Sequence, residues 1–308
     1  MRRPAALTRN QTSIALVAPR THKALELAHA DAQTLRACAL AQLTPNRLAH
    51  KARSLPFLDT HRQNPVGHAV PTSSHAQKGT FLCWTVGTFL CWANSERNDL
   101  ALEACRLYPD RFATMGRIDL DPANETMLEI WRNQPGMLGL RFTYRAGQDW
   151  MEDGSADWMW RAAERIGLPV MISCPGQLRV LPRVADRFPS LKMIVDHLAL
   201  IRGQKDAAAF VDLPDLLALA RYPNVAAKAS ALPRFSSHPY PYCNVHGYLH
   251  EVFDVFGPNR TFWGTDLTGL PCTYRDAVTM FTEELPWLSD ADKEWVMGRG
   301  ISEFVGWI

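Results

Sequence analysis

From residue 98 onward, short apolar runs alternate with longer amphipathic stretches. Runs of mostly apolar residues predict strands, and apolar residues recurring at helical spacing predict helices. The predicted strands are residues 112–120, 137–143, 168–173, 191–197, 225–230 and 261–263. The predicted helices are residues 99–108, 123–133, 156–166, 178–188, 207–221, 245–256, 275–285 and 290–305. This strict alternation is typical of an α/β protein with a parallel sheet.

The number of strands points to a barrel. The strands after residue 110 are almost continuously apolar, as expected for strands that are buried on both faces. A seventh strand is predicted at residues 79–84 or at their tandem copy, residues 87–92, and an eighth at residues 13–17. We therefore predict a (β/α)8 TIM-type barrel that is irregular or incomplete at its N-terminal side. The alternative is a doubly wound sheet, but no glycine-rich phosphate loop supports it.

The N-terminal quarter differs from the rest of the chain. Residues 45–78 are polar and contain four prolines, a composition that disfavours packed elements. We predict a poorly defined, disordered segment at residues 1–78 and a barrel domain at residues 79–308.

Composition and charge exclude several classes of protein. The chain has 47% hydrophobic and 21% charged residues, which is ordinary for a soluble protein, and it has no apolar run long enough to cross a membrane. Its seven cysteines form no CxxC pair, which argues against a disulfide framework and favours a reducing cytoplasm. Residues 1–100 carry 12 Lys and Arg against 5 Asp and Glu, but they contain no nucleic-acid-binding motif. We therefore expect neither a membrane nor a nucleic-acid partner.

Polar residues stand where the predicted strands end. Arg141, Ser173, His197, Ser230 and Asp266 each follow an apolar run. Active sites of (β/α)8 barrels lie at the C-terminal ends of the strands, so these side chains are candidates for one site. A guanidinium can clamp a carboxylate with two hydrogen bonds. The competing interpretation of Asp266 is a helix cap or loop residue.

Several motifs resemble those of the amidohydrolase-related family, a group of TIM-barrel hydrolases and decarboxylases that includes dicarboxylate lactonases and an aminocarboxymuconate-semialdehyde decarboxylase. The resemblance covers residues 98–308. Its motifs are Asn98-Asp-Leu-Ala-Leu-Glu, Tyr108-Pro-Asp-Arg-Phe, Gly139-Leu-Arg, Gly167-Leu-Pro-Val-Met-Ile, Pro189-Ser-Leu-Lys-Met-Ile-Val-Asp-His-Leu, Pro223-Asn-Val-Ala-Ala-Lys and Arg260-Thr-Phe-Trp-Gly-Thr-Asp.

The resemblance implies roles for the strand-end residues. Asp266 would bind a metal or act as general base, and His197 would contact substrate or activated water and be a second metal ligand. Arg141 would lie near the substrate. Ser173 and Ser230 are expected to bind substrate because they end neighbouring strands at the same edge, and not because of the resemblance. The implied activity is lactonase-like hydrolysis of a C–O or C–N bond in a small carboxylated substrate by water attack, with a divalent metal, zinc being the expected ion. A homo-oligomer is compatible with this assignment.

The sequence also departs from the family pattern. It has no His-x-His pair, and Ser173 stands where the family has a metal-binding histidine, although zinc sites usually need three or four protein ligands. Either the site works without metal, or residues 1–97 derive from a misplaced start, a frameshift or a rearrangement. The alternative functions are decarboxylation and a non-catalytic remnant.

Other polar residues have ordinary explanations. His246 and His250 are four residues apart on a predicted helix, but they lack the glutamate of a zincin motif. His238 and Tyr240 fall in a predicted loop that could gate a barrel site or lie on the surface. Cys174 is expected to be a small buried residue.

Overall fold

Six parallel strands form the centre of the residues that the computed structural model describes, 98–109 and 112–307. They lie in the order β1-β2-β3-β4-β5-β6, and the sheet curls into a half-barrel. A doubly wound sheet reverses its strand order at a switch point, and the described strands show no such reversal. The strands are β1 (Thr114–Gly116), β2 (Met137–Thr143), β3 (Val170–Ser173), β4 (Met193–Val195), β5 (Val225–Ser230) and β6 (Thr261–Gly264).

Helices and 3-10 turns connect the strands. None of the helices in the described ranges is long and apolar enough to span a bilayer. The α-helices are α1 (Asp99–Leu107), α2 (Glu125–Glu129), α3 (Asp157–Ile166), α4 (Leu181–Arg187), α5 (Leu213–Ala218), α6 (His246–Phe256), α7 (Tyr274–Thr282), α8 (Asp290–Glu294) and α9 (Gly300–Val305).

Most predicted elements form, and their bounds differ where local chemistry intervenes. β2 and β5 have the predicted bounds. β1 is shorter than the predicted strand, because only residues 114–116 find partners on β2. Asn98 does not cap α1 through its side chain; instead its amide exchanges two hydrogen bonds with the backbone of Arg117, each 2.8 Å long. The predicted helix 290–305 is broken by a π-helical segment, Trp295–Arg299, between α8 and α9.

The strands alternate between two buried faces. Val170 and Ile172 of β3 belong to the large core beneath the helices, whereas Met171, between them, belongs to a second cluster. Since successive side chains of a strand point to opposite faces, this second cluster marks the inner face of the sheet. Its members are Ala113, Met115, Met171, Ile194, Ala226, Phe262, Ile301, Val305 and Trp307. The C-terminal helix α9 thus packs against the apolar layer of the inner face.

The candidate residues continue this inner face toward the C-terminal ends of the strands. Ser173 is two residues beyond Met171 on β3, and Lys228 and Ser230 follow Ala226 on β5 at the same spacing. Residues two apart on a strand share a face. The strand-end groups therefore form a polar layer directly above the apolar one.

The predicted strands at residues 13–17, 79–84 and 87–92 lie outside the described residues, as does the predicted disordered segment 1–78. The structure establishes a six-stranded half-barrel, and an eight-stranded closure stays a prediction.

Candidate active site

A buried ionic cluster lies on the inner face of the sheet. Asp196, directly after β4, accepts hydrogen bonds from Arg141 Nη2 at 2.6 Å, Arg141 Nε at 3.1 Å and Lys228 Nζ at 2.9 Å. Each of these three side chains is buried. Burial alone would raise the pKa of Asp196, but the neighbouring His197, Lys228 and Arg141 hold it well below its usual range. Asp196 is therefore ionised and locked between two cations.

His197 lies in a left-handed turn that follows β4. His197, Leu198 and Ala199 have φ values of 55°, 51° and 52°, a conformation that non-glycine residues rarely adopt and that is common at functional sites. The turn places His197 Nδ1 2.7 Å from Ser230 Oγ and Nε2 3.2 Å from Asp196 Oδ2. Sequence periodicity gives no signal for such a turn.

The imidazole of His197 is neutral at neutral pH. Burial lowers its pKa to about 4, and this outweighs the opposite effect of the Asp196 carboxylate. The short contact with Asp196 is therefore a hydrogen bond and not an ion pair. Because ionised Asp196 can only accept, we assign the ring hydrogen to Nε2, and Nδ1 accepts from the Ser230 hydroxyl.

Above this cluster, Asp266 faces a small cleft. The cleft and the open solvent at its mouth together span about 260 Å³, and Ser173, His197, Arg202, Arg234 and Asp266 are among its lining residues. The Asp266 side chain is 10% exposed. Its Oδ2 accepts a hydrogen bond from Arg234 Nη1 at 3.1 Å and lies 3.9 Å from Arg202 Nη2. One oxygen of the Asp266 carboxylate thus faces two guanidinium groups at the cleft.

The structure brings the five predicted site residues together at one edge of the sheet. Asp266, His197 and Ser173 line the cleft. Arg141 and Ser230 lie beneath it: Arg141 contacts Asp196, and Ser230 contacts His197. These two side chains support the cleft from the buried layer.

Sequence reasoning missed the two arginines of the cleft. Arg202 follows the left-handed turn after β4, and Arg234 lies in the 3-10 turn Leu232–Phe235 after β5. Both belong to loops at the C-terminal edge of the sheet, where a barrel places its functional groups. Their position in these loops could have marked both arginines as candidates. The sequence of a loop, however, does not show in which direction an arginine side chain points.

His246 and His250, both within the described residues, lie outside the cleft. His246 Nε2 is 2.7 Å from the carbonyl oxygen of Pro241, and the ring of His250 stacks on Trp287 with a centroid distance of 4.5 Å. Cys174 is fully buried, and this burial raises the pKa of its thiol to about 12. It is therefore not an activated nucleophile.

The cleft offers few of the donor groups that a divalent metal needs. Within residues 98–109 and 112–307, no group of three or more His, Cys, Asp or Glu side chains is placed to hold a metal ion. The two predicted ligands, Asp266 and His197, are present, but two donors fall short of a stable zinc site. The guanidinium groups of Arg234 and Arg202 also place positive charge beside Asp266. The described residues do not by themselves fit a divalent metal.

Comparisons with known proteins extend the motif-based resemblance. The sequence model of the family described as Amidohydrolase matches residues 42–301, beginning well before the motifs at residue 98. The L-fucono-1,5-lactonase of Burkholderia ambifaria is 31% identical over 165 residues, which are 50% of this chain and 54% of that protein. The chain thus matches about half the length of this curated relative.

Solved structures share the fold. An amidohydrolase from Burkholderia multivorans with bound zinc has a TM-score of 0.59 at 19% identity, over 68% of this chain and 80% of its own. A putative 2-pyrone-4,6-dicarboxylic acid hydrolase from Pseudomonas putida has a TM-score of 0.56 at 19% identity, over 69% and 78%. The 5-carboxyvanillate decarboxylase of Novosphingobium aromaticivorans, solved with manganese, has a TM-score of 0.53 at 17% identity, over 68% of each chain. With its family model matched over most of its length, this chain belongs to the amidohydrolase family.

Proposed function

We propose that this chain hydrolyses the ring ester of a small anionic lactone, with Asp266 as the general base. The observation that carries the proposal is the Asp266 carboxylate, which faces a cleft at the C-terminal edge of the sheet and has two guanidinium groups beside one of its oxygens. The sequence similarity to a lactonase supports the same reaction class.

Asp266 is better suited to proton transfer than the other carboxylate of the site. Asp196 is fully buried, and its oxygens are held by Arg141 and Lys228. Asp266 keeps partial exposure to the cleft, where water and substrate can reach it. A carboxylate that can accept a proton from an approaching water is the requirement for a general base.

The proposed reaction uses Asp266 twice. Its carboxylate takes a proton from water while the water oxygen attacks the lactone carbonyl carbon. The ring C–O bond then breaks, and the protonated Asp266 returns the proton to the leaving alkoxide oxygen, which gives a hydroxy acid. His197 stays neutral, and both of its ring nitrogens are already hydrogen-bonded, to Asp196 and to Ser230. Its ring therefore shapes the cleft beside Ser173, whose hydroxyl is placed to hydrogen-bond water or substrate.

The charge of the site favours an anionic substrate. The site contains four positively charged side chains and two negatively charged ones. The cations are Arg141, Lys228, Arg202 and Arg234, and the carboxylates are Asp196 and Asp266. Preorganised cations also stabilise the negative charge that develops on the carbonyl oxygen during attack. Arg141 is buried against Asp196, so we assign the contact with the substrate carboxylate to Arg202, whose side chain is 60% exposed.

Zinc was the expected ion, and divalent metals are present in related structures. Asp266 and His197 could contribute two ligands to such an ion here. Further ligands would have to come from outside the described residues. The proposed proton transfers therefore use this chain's own side chains. Elemental analysis of the purified protein and of Asp266→Asn tests the zinc expectation directly, since a bound ion that disappears in the variant would be held by Asp266.

A substrate panel tests the reaction. It contains 2-pyrone-4,6-dicarboxylate as an anionic lactone, L-fucono-1,5-lactone as a neutral one and 5-carboxyvanillate as a substrate for decarboxylation. Acid release above the spontaneous rate reports hydrolysis, and released CO2 reports decarboxylation. We expect hydrolysis of the anionic lactone, and a loss of about 10²–10⁴-fold in kcat/KM for Asp266→Asn. Asp254→Asn is the matched control, because Asp254 is 66% exposed and pairs with His250 outside the cleft.

The remaining outcomes separate the alternatives. CO2 release from 5-carboxyvanillate without lactone hydrolysis would assign the chain to the decarboxylases of this fold. Hydrolysis that survives Asp266→Asn would remove Asp266 from the reaction. No turnover of any substrate by the wild-type protein would favour a non-catalytic remnant.

A further inference from the structure

The turn that carries Asp266 has an unusual backbone. Asp266 has φ 47° and ψ 54°, so this non-glycine residue is left-handed. The turn is closed by the Gly269 N–H, which donates to the Asp266 carbonyl oxygen at 2.8 Å. Non-glycine residues adopt such a conformation rarely, although aspartate does so several-fold more often than most, and it persists where surrounding contacts enforce it. A contact from outside the turn stabilises it.

Arg234 supplies that contact from a neighbouring loop. Its Nη1 donates to Asp266 Oδ2 at 3.1 Å, and its Nε donates to the Gly269 carbonyl oxygen at 3.1 Å. One planar guanidinium thus ties the side chain at the start of the turn to the backbone at its end. Arg234 itself is aimed by a turn that begins at left-handed Ala231, with φ 62°. The loops after β5 and β6 are joined at this point.

Gly269 makes room for the guanidinium. A Cβ atom at this position would lie 1.4 Å from Arg234 Nη2 and 2.2 Å from Arg234 Cζ. The backbone of Gly269 is not left-handed, so the glycine is required for space and not for conformational freedom. Since the end of an arginine is flexible, a methyl group here would displace the guanidinium instead of breaking the fold.

We infer that Arg234, seated over Gly269, is a positioning residue that fixes the Asp266 carboxylate in its reactive orientation. Its role differs from that of Arg202, which is more exposed and lies 3.9 Å from the same oxygen. Arg234 acts on the base, and Arg202 acts on the substrate. The inference deepens the proposed function, since it concerns the residue that orients the proposed base.

Kinetics of Gly269→Ala, Arg234→Ala and their double variant test the inference. Each single variant should lower kcat about 10²-fold, the size expected for misplacement of a catalytic group by about 1 Å, with KM little changed. The double variant should be no slower than Arg234→Ala, because Gly269→Ala acts only through the guanidinium. Low concentrations of guanidinium chloride should restore part of the Arg234→Ala rate, and Arg234→Lys should keep more activity than Arg234→Ala. Arg202→Ala should instead raise KM.

If the loss in kcat of the double variant equals the product of the two single losses, the inference is overturned. The absence of rescue by guanidinium would overturn it as well. A second measurement needs no substrate and separates this inference from the proposed function. A crystal structure of Gly269→Ala should show the Arg234 guanidinium displaced and the Asp266 carboxylate rotated out of its present orientation. An unmoved Asp266 carboxylate in that structure would overturn the positioning role, whichever reaction the protein catalyses.

Discussion

The buried ionic cluster makes a sharp prediction about stability. Asp196→Asn keeps the size of the side chain but removes the negative charge between Arg141 and Lys228, and the new amide nitrogen faces donors only. Breaking a buried ion pair by removing one partner costs about 3–5 kcal/mol, because the remaining charge is left uncompensated in the interior. Two cations remain here, and both are buried. We therefore expect the upper part of that range.

A matched control is available on the surface. Asp215→Asn makes the same chemical change in a pair with Arg179, in which the arginine is 87% and the aspartate 38% exposed. Exposed ion pairs contribute about 0–1 kcal/mol. The free energies of unfolding of the two variants should therefore differ by several kcal/mol. Because the chemical change is the same in both, this difference would come from the environment of each aspartate.

Urea unfolding at neutral pH, followed by tryptophan fluorescence, measures the free energy of unfolding of each variant. A second substitution, Lys228→Met, in the Asp196→Asn background should recover part of the loss, because it removes one of the uncompensated cations. An Asp196→Asn variant as stable as Asp215→Asn would refute the reasoning, and so would a double variant less stable than Asp196→Asn alone.

Three other measurements test the burial of single groups. Burial lowers the pKa of His197 from 6.5 to about 4. Between pH 6.5 and about pH 4, this histidine is therefore protonated in the unfolded chain but not in the folded one. The free energy of unfolding should fall by about 3 kcal/mol as the pH drops through this window. His197→Asn should reduce that slope in urea titrations, and an unchanged slope would contradict the burial. Gly139→Ala places Cβ 2.3 Å from a carbonyl oxygen and should cost about 1–3 kcal/mol. Gly247 lies on α6, where an added Cβ would meet open space. Gly247→Ala should therefore leave the free energy of unfolding unchanged or raise it by up to about 1 kcal/mol. Equal thermal midpoints for Gly139→Ala and Gly247→Ala would refute the packing argument. Iodoacetamide at mildly alkaline pH should label exposed Cys243 but not buried Cys174, and peptide mass spectrometry that finds Cys174 labelled in the folded protein would contradict its burial.

The sequence was sufficient where one physical rule determined the outcome. β2 and β5 were predicted with their observed bounds, because continuous apolar runs between turn residues define buried parallel strands. The same rule identified the strand-end residues, since parallel strands that end together bring their last side chains to one edge. Ser173 and Asp266 lie at that edge as predicted, whereas Arg141 lies two residues before the end of β2 and contacts Asp196 beneath the cleft.

The contacts above the strands could not be predicted, because they join residues far apart in sequence through loops. Arg234 and Asp266 are 32 residues apart, and their hydrogen bond depends on two left-handed turns, at Ala231 and at Asp266 itself. No periodicity encodes such turns in non-glycine residues. The left-handed run that begins at His197 was missed for the same reason. Tertiary contacts select these conformations, and a local pattern does not reveal them.

The two aspartates of the site show how environment divides the roles of one residue type. Asp196 and Asp266 both follow a strand of the same sheet, and of the two the sequence made only Asp266 a candidate. Asp196 is surrounded by buried cations that hold its pKa well below its usual range, so it stays a fixed negative charge in every step. Asp266 lies one layer higher, where the cleft gives it access to water, and Arg234 touches only one of its oxygens. In the proposed reaction the two carboxylates therefore have different roles: Asp196 keeps Lys228 and Arg141 in place, and Asp266 exchanges a proton with water.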